Sequence, residues 1–297
     1  MVRMTKIRVA SVNVNGIRAA ARKGMLEWLP ERGVDVLALQ EVRASHAQLE
    51  TALGIEAVDD GSFRAADGAQ WHIALDECSA KGRAGVAVLS RIPFLDVRTG
   101  IGPDDFDATG RWIETDLRVG DAELTVISCY VHSGEAETPK QEEKWRFLDA
   151  MAERMGQLRA ERELVLVVGD FNVGHTERDI KNWKGNVKRA GFLPRERGYF
   201  DRMFGELAAP IDTVDGSGGE GLGWVDVGRA AAGDVDGPYT WWSWRGKAFD
   251  NDTGWRIDYH AATPALAARA SNYAVDRAAA YDQRWSDHAP VLADYQL

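Results

Sequence analysis

Cysteine is scarce: Cys78 and Cys129 are the two in 297 residues, too few for a disulfide framework. Cys129 sits in an apolar strand pattern, where it reads as a small buried hydrophobe. A reducing compartment, the cytoplasm, is therefore expected. Long apolar runs are missing as well. None approaches the roughly 20 residues that span a bilayer, and residues 1–8 lack the apolar stretch of a signal peptide, so no membrane partner is expected. An excess of positive charge is also lacking. Lys and Arg number 36 against 46 Asp and Glu, a net charge of −10, which argues against a general nucleic-acid binder. It does not argue against a site built on carboxylates, where local charge matters more than the total. Residues 178–202 are locally basic: Arg178, Lys181, Lys184, Lys188, Arg189, Arg195, Arg197 and Arg202 stand against Asp179, Glu196 and Asp201. On charge alone this stretch reads as a solvated face.

No internal repeat is visible and no linker divides the chain, so one domain over residues 1–297 is expected. Residues 215–223, rich in glycine, read as a flexible loop. What the chain has in quantity is apolar runs. Residues 7–14, 34–40, 85–90, 112–117, 124–131 and 164–168 read as strands, with further candidates at 239–244, 257–261 and 291–295. Several are continuous rather than alternating, which points to sheets covered on both faces. Across 140–159, Trp145, Leu148, Ala152 and Met155 recur at helical spacing, and Phe147, Met151 and Leu158 widen the stripe. Many strands with interspersed helices suggest an α/β fold of two packed sheets with helices outside.

Polar residues gather where these strands end: Asn13 and Asn15 after the first, Glu41 after the second, Tyr130 at the fifth, Asp170 and Asn172 after the sixth. Asp258 lies in the eighth run, and Asp287 and His288 directly precede the last. Rigid strand ends aim side chains at a common cleft. A hard cation such as magnesium takes oxygen ligands and keeps several waters, so one or two carboxylates hold it. Phosphodiester hydrolysis needs a positioned water, a base and positive charge near the phosphate. A carboxylate beside a His supports the charged ring. Taken singly each signal is weak: Gly169-Asp170-Phe171-Asn172 is also an ordinary turn sequence, and Asp287 after Ser286 is also a cap. Their order and spacing carry the weight.

That order resembles a known pattern. Asn13-Val14-Asn15-Gly16-Ile17-Arg18, Leu39-Gln40-Glu41, Gly169-Asp170-Phe171-Asn172, Trp255-Arg256-Ile257-Asp258 and Ser286-Asp287-His288-Ala289-Pro290-Val291 resemble the successive signatures of the endonuclease/exonuclease/phosphatase superfamily. Within it they are similar to the exonuclease III family of abasic-site endonucleases, from about Lys6 to Tyr295. Lys184-Gly185-Asn186, the run Ala190-Gly191-Phe192-Leu193-Pro194-Arg195-Glu196-Arg197, Gly110-Arg111 and Tyr239-Thr240-Trp241-Trp242 match that branch outside the metal core. The competing branch, phosphatases and phosphodiesterases of lipid or inositol head groups, would bring membrane-facing apolar loops or a Lys/Arg-rich pocket. A non-enzymatic DNA-binding relative would have lost Glu41, Asp170, Asp258 or His288.

The resemblance implies a four-layer α/β sandwich, two β-sheets flanked by helices, acting as a cytoplasmic, nucleoid-associated monomer on duplex DNA with abasic sites or damaged 3′ ends. Its cofactor would be Mg²⁺, with Mn²⁺ as the alternative. Glu41 would be the principal metal ligand, with Asn13, Asn15, Asn172, Asp170, Asp287 and His288 in the metal and water network. Asp170 would orient or deprotonate the attacking water. Asp258 would pair with His288, which stabilises the phosphate oxygens, Asp287 would support the metal side or the leaving group, and Tyr130 would bear on the phosphate. Arg18, Lys23, Arg111, Lys184, Asn186 and Arg189 match positions that grip DNA. Trp241, Trp255 and Ile257 match an apolar pocket for the extruded sugar. Asn15 stands where many relatives have Asp, no Pro follows Tyr130, Ser133 replaces a longer amide, and Arg189 stands where some relatives have Asn.

Overall fold

The computed structural model describes residues 5–58, 61–66, 68–102 and 106–297; residues 1–4, half of the charged start, lie outside them. Among the described residues fourteen strands form two sheets: β1 (Lys6–Asn13), β2 (Val36–Gln40), β3 (Glu56–Ala57), β4 (Phe63–Arg64), β5 (Gln70–Asp76), β6 (Val86–Ser90), β7 (Phe94–Thr99), β8 (Trp112–Val119), β9 (Ala122–Tyr130), β10 (Val165–Asp170), β11 (Val225–Asp226), β12 (Asp258–Ala262), β13 (Ala270–Val275) and β14 (Val291–Gln296). The eight-stranded sheet runs β13-β14-β1-β2-β6-β5-β4-β3 and the six-stranded sheet β11-β12-β10-β9-β8-β7.

The two-residue period of a strand decides which layer each side chain joins. In β1, Val9 enters the core between the sheets, with Val36 and Val88 from its own sheet and Val126 and Leu166 from the other. Ala10 and Val12 face outward, under a helical layer that includes Ile17, Trp28 and Leu49. Continuous apolar runs such as β2, buried at all five positions, follow from being covered on both faces. The outer face of the six-stranded sheet packs on the helix Pro139–Glu161 through Phe147, Leu148, Met151, Met155 and Leu158. Burying each such side chain contributes about 1.5–3 kcal/mol. Pro139 and the Thr138 side chain, which accepts a hydrogen bond from Lys140 N at 3.3 Å, open that helix. The result is four layers, helix–sheet–sheet–helix. Among the described residues no helix is long and apolar enough to cross a membrane.

One expected strand is not there. Residues 239–244 make only two isolated bridges, from Trp241 to Trp255 and to His288. Tyr239 and Trp242 are apolar because they fill a small satellite core with Phe249 and Ala289, and Trp242 N donates instead to Asp287 O at 3.0 Å. Conversely β5, β7 and β13 are strands that the apolar runs do not reveal. β7 and β13 are sheet edges, with Leu95 and Val97 of β7 exposed, and half-solvated edges carry a weak apolar signal.

Topology gathers the polar strand ends. β1 is parallel to β2, and β9 to β10, so Asn13, Gln40, Tyr130 and Asp170 finish at corresponding ends. β12 and β14 run antiparallel to β10 and β1, so their first residues arrive at that same end, with Asp258 opposite Asp170 and Val291 opposite Ser11.

Candidate active site

At that end each side chain is held by another. Asn13 Nδ2 donates to Glu41 Oε1 and to Asp170 Oδ2, both at 2.9 Å, so one amide joins the two sheets. Tyr130 Oη donates to Glu41 Oε1 at 2.8 Å, and the Arg43 guanidinium pairs with Glu41 Oε2. Asn172 donates from its backbone N to Asp170 Oδ1 at 2.9 Å and from Nδ2 to Asp170 Oδ2 at 3.1 Å and Val131 O at 2.9 Å. His288 Nδ1 faces both oxygens of Asp258, at 2.9 and 3.1 Å, and Thr240 Oγ1 donates to Asp258 Oδ2 at 2.6 Å. With a proton on Nδ1, the ring turns Nε2 to Asp170 Oδ2, 3.7 Å away. Asn15 Nδ2 and Trp241 Nε1 donate to the two oxygens of Asp287, at 2.9 and 3.2 Å.

The backbone is strained where these groups sit. Asn15, Glu41 and Asn172 have φ of 47°, 50° and 52°, a region that Asn tolerates and Glu rarely adopts. Gly169 supplies the approach beneath Asp170: at φ 142°, any Cβ there would lie 1.9 Å from Cys129 O.

Electrostatics separates the carboxylates. Burial pushes the Asp170 carboxyl up; His288 opposes this, while Asp258 and Glu41 add to the rise. Burial alone would lower the His288 imidazole, but the charges of Asp258 and Asp170 outweigh it and hold the ring well above its ordinary value, so it is cationic at neutral pH. Burial would also raise Asp287, yet His288, Asn15 and Trp241 together hold it below the usual carboxylate range. The Tyr130 hydroxyl is pushed up by burial, then by Glu41 and Asp170, and stays a phenol.

The donor set is rich in oxygen, as a hard cation requires. Among the described residues the tightest group of metal-capable side chains is Asp170, Asp258 and His288, with ligand atoms within 4.8 Å of one another. Asp258 is engaged by His288 and Thr240. Glu41, joined to Asp170 through Asn13, is engaged as well, by Asn13, Tyr130 and Arg43.

Trp241 and Trp255 meet edge to face, with ring centres 6.0 Å apart. Both are half-buried, while Ile257 is buried at the entry to β12. Trp242 is core, whereas Trp244 is exposed. Arg111 lies within the site, its guanidinium 4.6 Å over the Tyr130 ring and its Nη1 donating to Tyr130 O at 3.1 Å. Arg18, Lys23, Lys184 and Arg189 are exposed and Asn186 half-buried; Lys23 Nζ rests 5.3 Å over the Trp244 ring. The basic stretch divides in two. Arg197 and Arg202, half-buried, lie against Phe192 and Tyr199, and half-buried Arg178 pairs with Asp234; Arg195, stacked on Trp145, is exposed, as are Lys181, Lys184, Lys188 and Arg189.

Sequence reasoning missed Arg43, Thr240 and the supports beneath Trp255. There Arg256, fully buried, donates from Nε to Asp179 Oδ1 at 2.7 Å and from Nη2 to Asp226 Oδ2 at 2.7 Å. These partners lie 77 and 30 residues away, and no local pattern announces such a distance. Arg43, two residues after Glu41, was within reach of inspection.

Residues 10–288 match the Endonuclease/Exonuclease/phosphatase family. The chain is 30% identical to an exodeoxyribonuclease of Bacillus subtilis over 286 residues, 96% of this chain and 98% of that one. It superposes on an AP endonuclease from Archaeoglobus fulgidus with a TM-score of 0.76 and 25% identity, covering 98% of this chain and 100% of the other. A 3′ phosphatase from Neisseria bound to a product DNA hairpin gives a TM-score of 0.77 at 25% identity, over 98% and 100% of the two chains. Matched from the first strand to His288, the chain belongs to the endonuclease/exonuclease/phosphatase family.

Proposed function

We propose that this protein is an exonuclease III-like DNA-repair phosphodiesterase that hydrolyses duplex DNA on the 5′ side of abasic sites, with 3′-5′ exonuclease and 3′-end cleaning activity. It would act as a cytoplasmic monomer at the nucleoid. The observation that carries the reading is the Asn13 amide, which joins Glu41 to Asp170 beside the Asp258–His288 pair. On this reading, groups that would hold a cation, activate water and stabilise charge lie together at one end of the two sheets.

Glu41, with oxygens of Asn13, Asn15, Asp170, Asn172 and Asp287, would hold Mg²⁺ or Mn²⁺, and the bound ion supplies Lewis-acid charge at the phosphate. The chain's own groups do the rest. Asp170, whose proton affinity is raised by burial, accepts the proton of the attacking water, and the Asn172 amide fixes that carboxylate. The His288 cation faces the phosphate oxygens and meets the charge that develops there. Asp258 and Thr240 hold the ring, and Tyr130, whose hydroxyl donates to Glu41, would bear on the phosphate. Asp287, held by Asn15 and Trp241, would support the metal side or the leaving group.

Arg18, Lys23, Lys184, Asn186 and Arg189 would hold the backbone without reading bases, as damage in any sequence requires. Lys184→Ala and Arg189→Ala should each lower the log–log salt slope of duplex binding by about 0.9. Titrating DNA at several salt concentrations measures this, and unchanged slopes would return the stretch to a solvated face.

A sugar without its base fits between Trp241, Trp255 and Ile257, and extruding it breaks no base pair. Trp255→Ala should weaken abasic cleavage and relax discrimination against intact nucleotides. If Trp255 served only as packing, truncation would cost about 3–5 kcal/mol of stability and depress every activity alike. The melting temperature, read beside the ratio of abasic to normal-end cleavage, separates the two.

A further inference from the structure

Behind the cleft lies an ion pair that the proposed chemistry does not use. Lys144 Nζ and Glu196 Oε1 are 2.7 Å apart, and neither side chain has any solvent exposure. Lys144 is on the second turn of the helix Pro139–Glu161. Its ammonium donates to Asn172 O at 2.9 Å and to Ser133 O at 3.3 Å, so it grips the two loops that follow Tyr130 and Asp170. Glu196 opens the helix Pro194–Phe204. Its Oε2 accepts from Gly191 N at 2.7 Å and Leu193 N at 2.9 Å, and its Oε1 also accepts from Gln141 Nε2 at 2.9 Å.

Gly191 carries the pair's influence to the sugar pocket. Its φ is 91°, and a Cβ there would lie 2.8 Å from Trp255 Cζ3 and 3.1 Å from Asn172 O. Gly174 N donates to Gly191 O at 2.8 Å, closing the loop on the Asn172 side. Asn172 itself has φ 52°, a conformation that needs outside support.

Burying both ions is costly, and well-packed apolar side chains of similar volume commonly serve stability as well or better. Stability is thus a poor reason for a charged pair here, whereas its hydrogen bonds to three loops are directional in a way no apolar pair can copy. We propose that Lys144 and Glu196 are positioning residues that fix the spacing between the Asp170–Asn172 end of the site and the Trp255 wall of the sugar pocket. The inference rests on the function proposed above.

The decisive protein is the double variant Lys144→Met/Glu196→Leu, which removes both charges at similar volume. It should fold with a lowered melting temperature, since Asn172 O, Ser133 O, Gly191 N and Leu193 N lose their partners, and bind intact duplex within a few-fold of the parent. Its kcat on an abasic duplex should fall by about 100-fold, the effect of a misplacement on the order of 1 Å. A folded double variant with the parent kcat would overturn the proposal. If the double variant does not fold, Lys144→Arg/Glu196→Asp keeps the charges and moves the bonding atoms. A lowered kcat at native melting then supports the pair's role, and an unchanged kcat overturns it. Parent protein that leaves the abasic duplex uncut would sink the functional reading, a result distinct from either outcome for the pair.

Discussion

Asp170→Asn and His288→Ala should each lower kcat on an abasic duplex by about 10³-fold or more, while duplex affinity stays within a few-fold. General acid–base catalysis is worth roughly 10²–10⁴-fold, and a donor aimed at developing charge roughly 10²–10³-fold. At about 1.4 kcal/mol per tenfold, each loss is on the order of 4 kcal/mol of transition-state stabilisation. Asp170 is fully engaged by Asn13 and Asn172 and faces His288 Nε2, so removing its charge disables water activation and weakens the field that keeps His288 protonated. The double variant should therefore lose far less than the product of the single effects, as parts of one machine do. Rates and binding would be measured side by side, with melting curves as the control for folding. Affinity that falls as steeply as kcat would make these residues gripping or structural.

Removing divalent metal should abolish cleavage, and adding Mg²⁺ should restore it. The expectation rests on the oxygen-rich set around Glu41. Glu41→Gln should raise the Mg²⁺ concentration for half-maximal activity by about 10–100-fold, the size of effect seen when a metal site loses one well-placed group. Arg43 sharpens the test. It pairs with Glu41 and competes with a cation for the same carboxylate, so Arg43→Ala should shift the Mg²⁺ requirement the other way. Full activity in EDTA would end the mechanism.

Much of the candidate site was legible because its residues sit beside strong local signals. Asn13, Glu41, Asp170 and His288 each border an apolar run, and parallel pairing of β1 with β2 and of β9 with β10 turns those borders into neighbours. The long central strands and the helix Pro139–Glu161 were legible for the same reason, being covered on both faces or along one stripe. What escaped was set by distance or by weak patterning. The edges β7 and β13 are half solvated. Residues 239–244 look like a strand only because Tyr239 and Trp242 are apolar, and their packing on Phe249 and Ala289 is tertiary. Lys144 finds Glu196 and Arg256 finds Asp179 across dozens of residues. In a sequence such residues look like ordinary members of a polar face.

The most direct test offers the purified protein matched duplexes carrying an abasic analogue, a recessed normal 3′ end or a 3′-phosphate, with and without Mg²⁺. The account predicts Mg²⁺-dependent scission on the 5′ side of the abasic analogue, faster than loss of nucleotides from the normal end. An abasic duplex left intact while Mg²⁺-dependent trimming of the 3′ ends proceeds would contradict it.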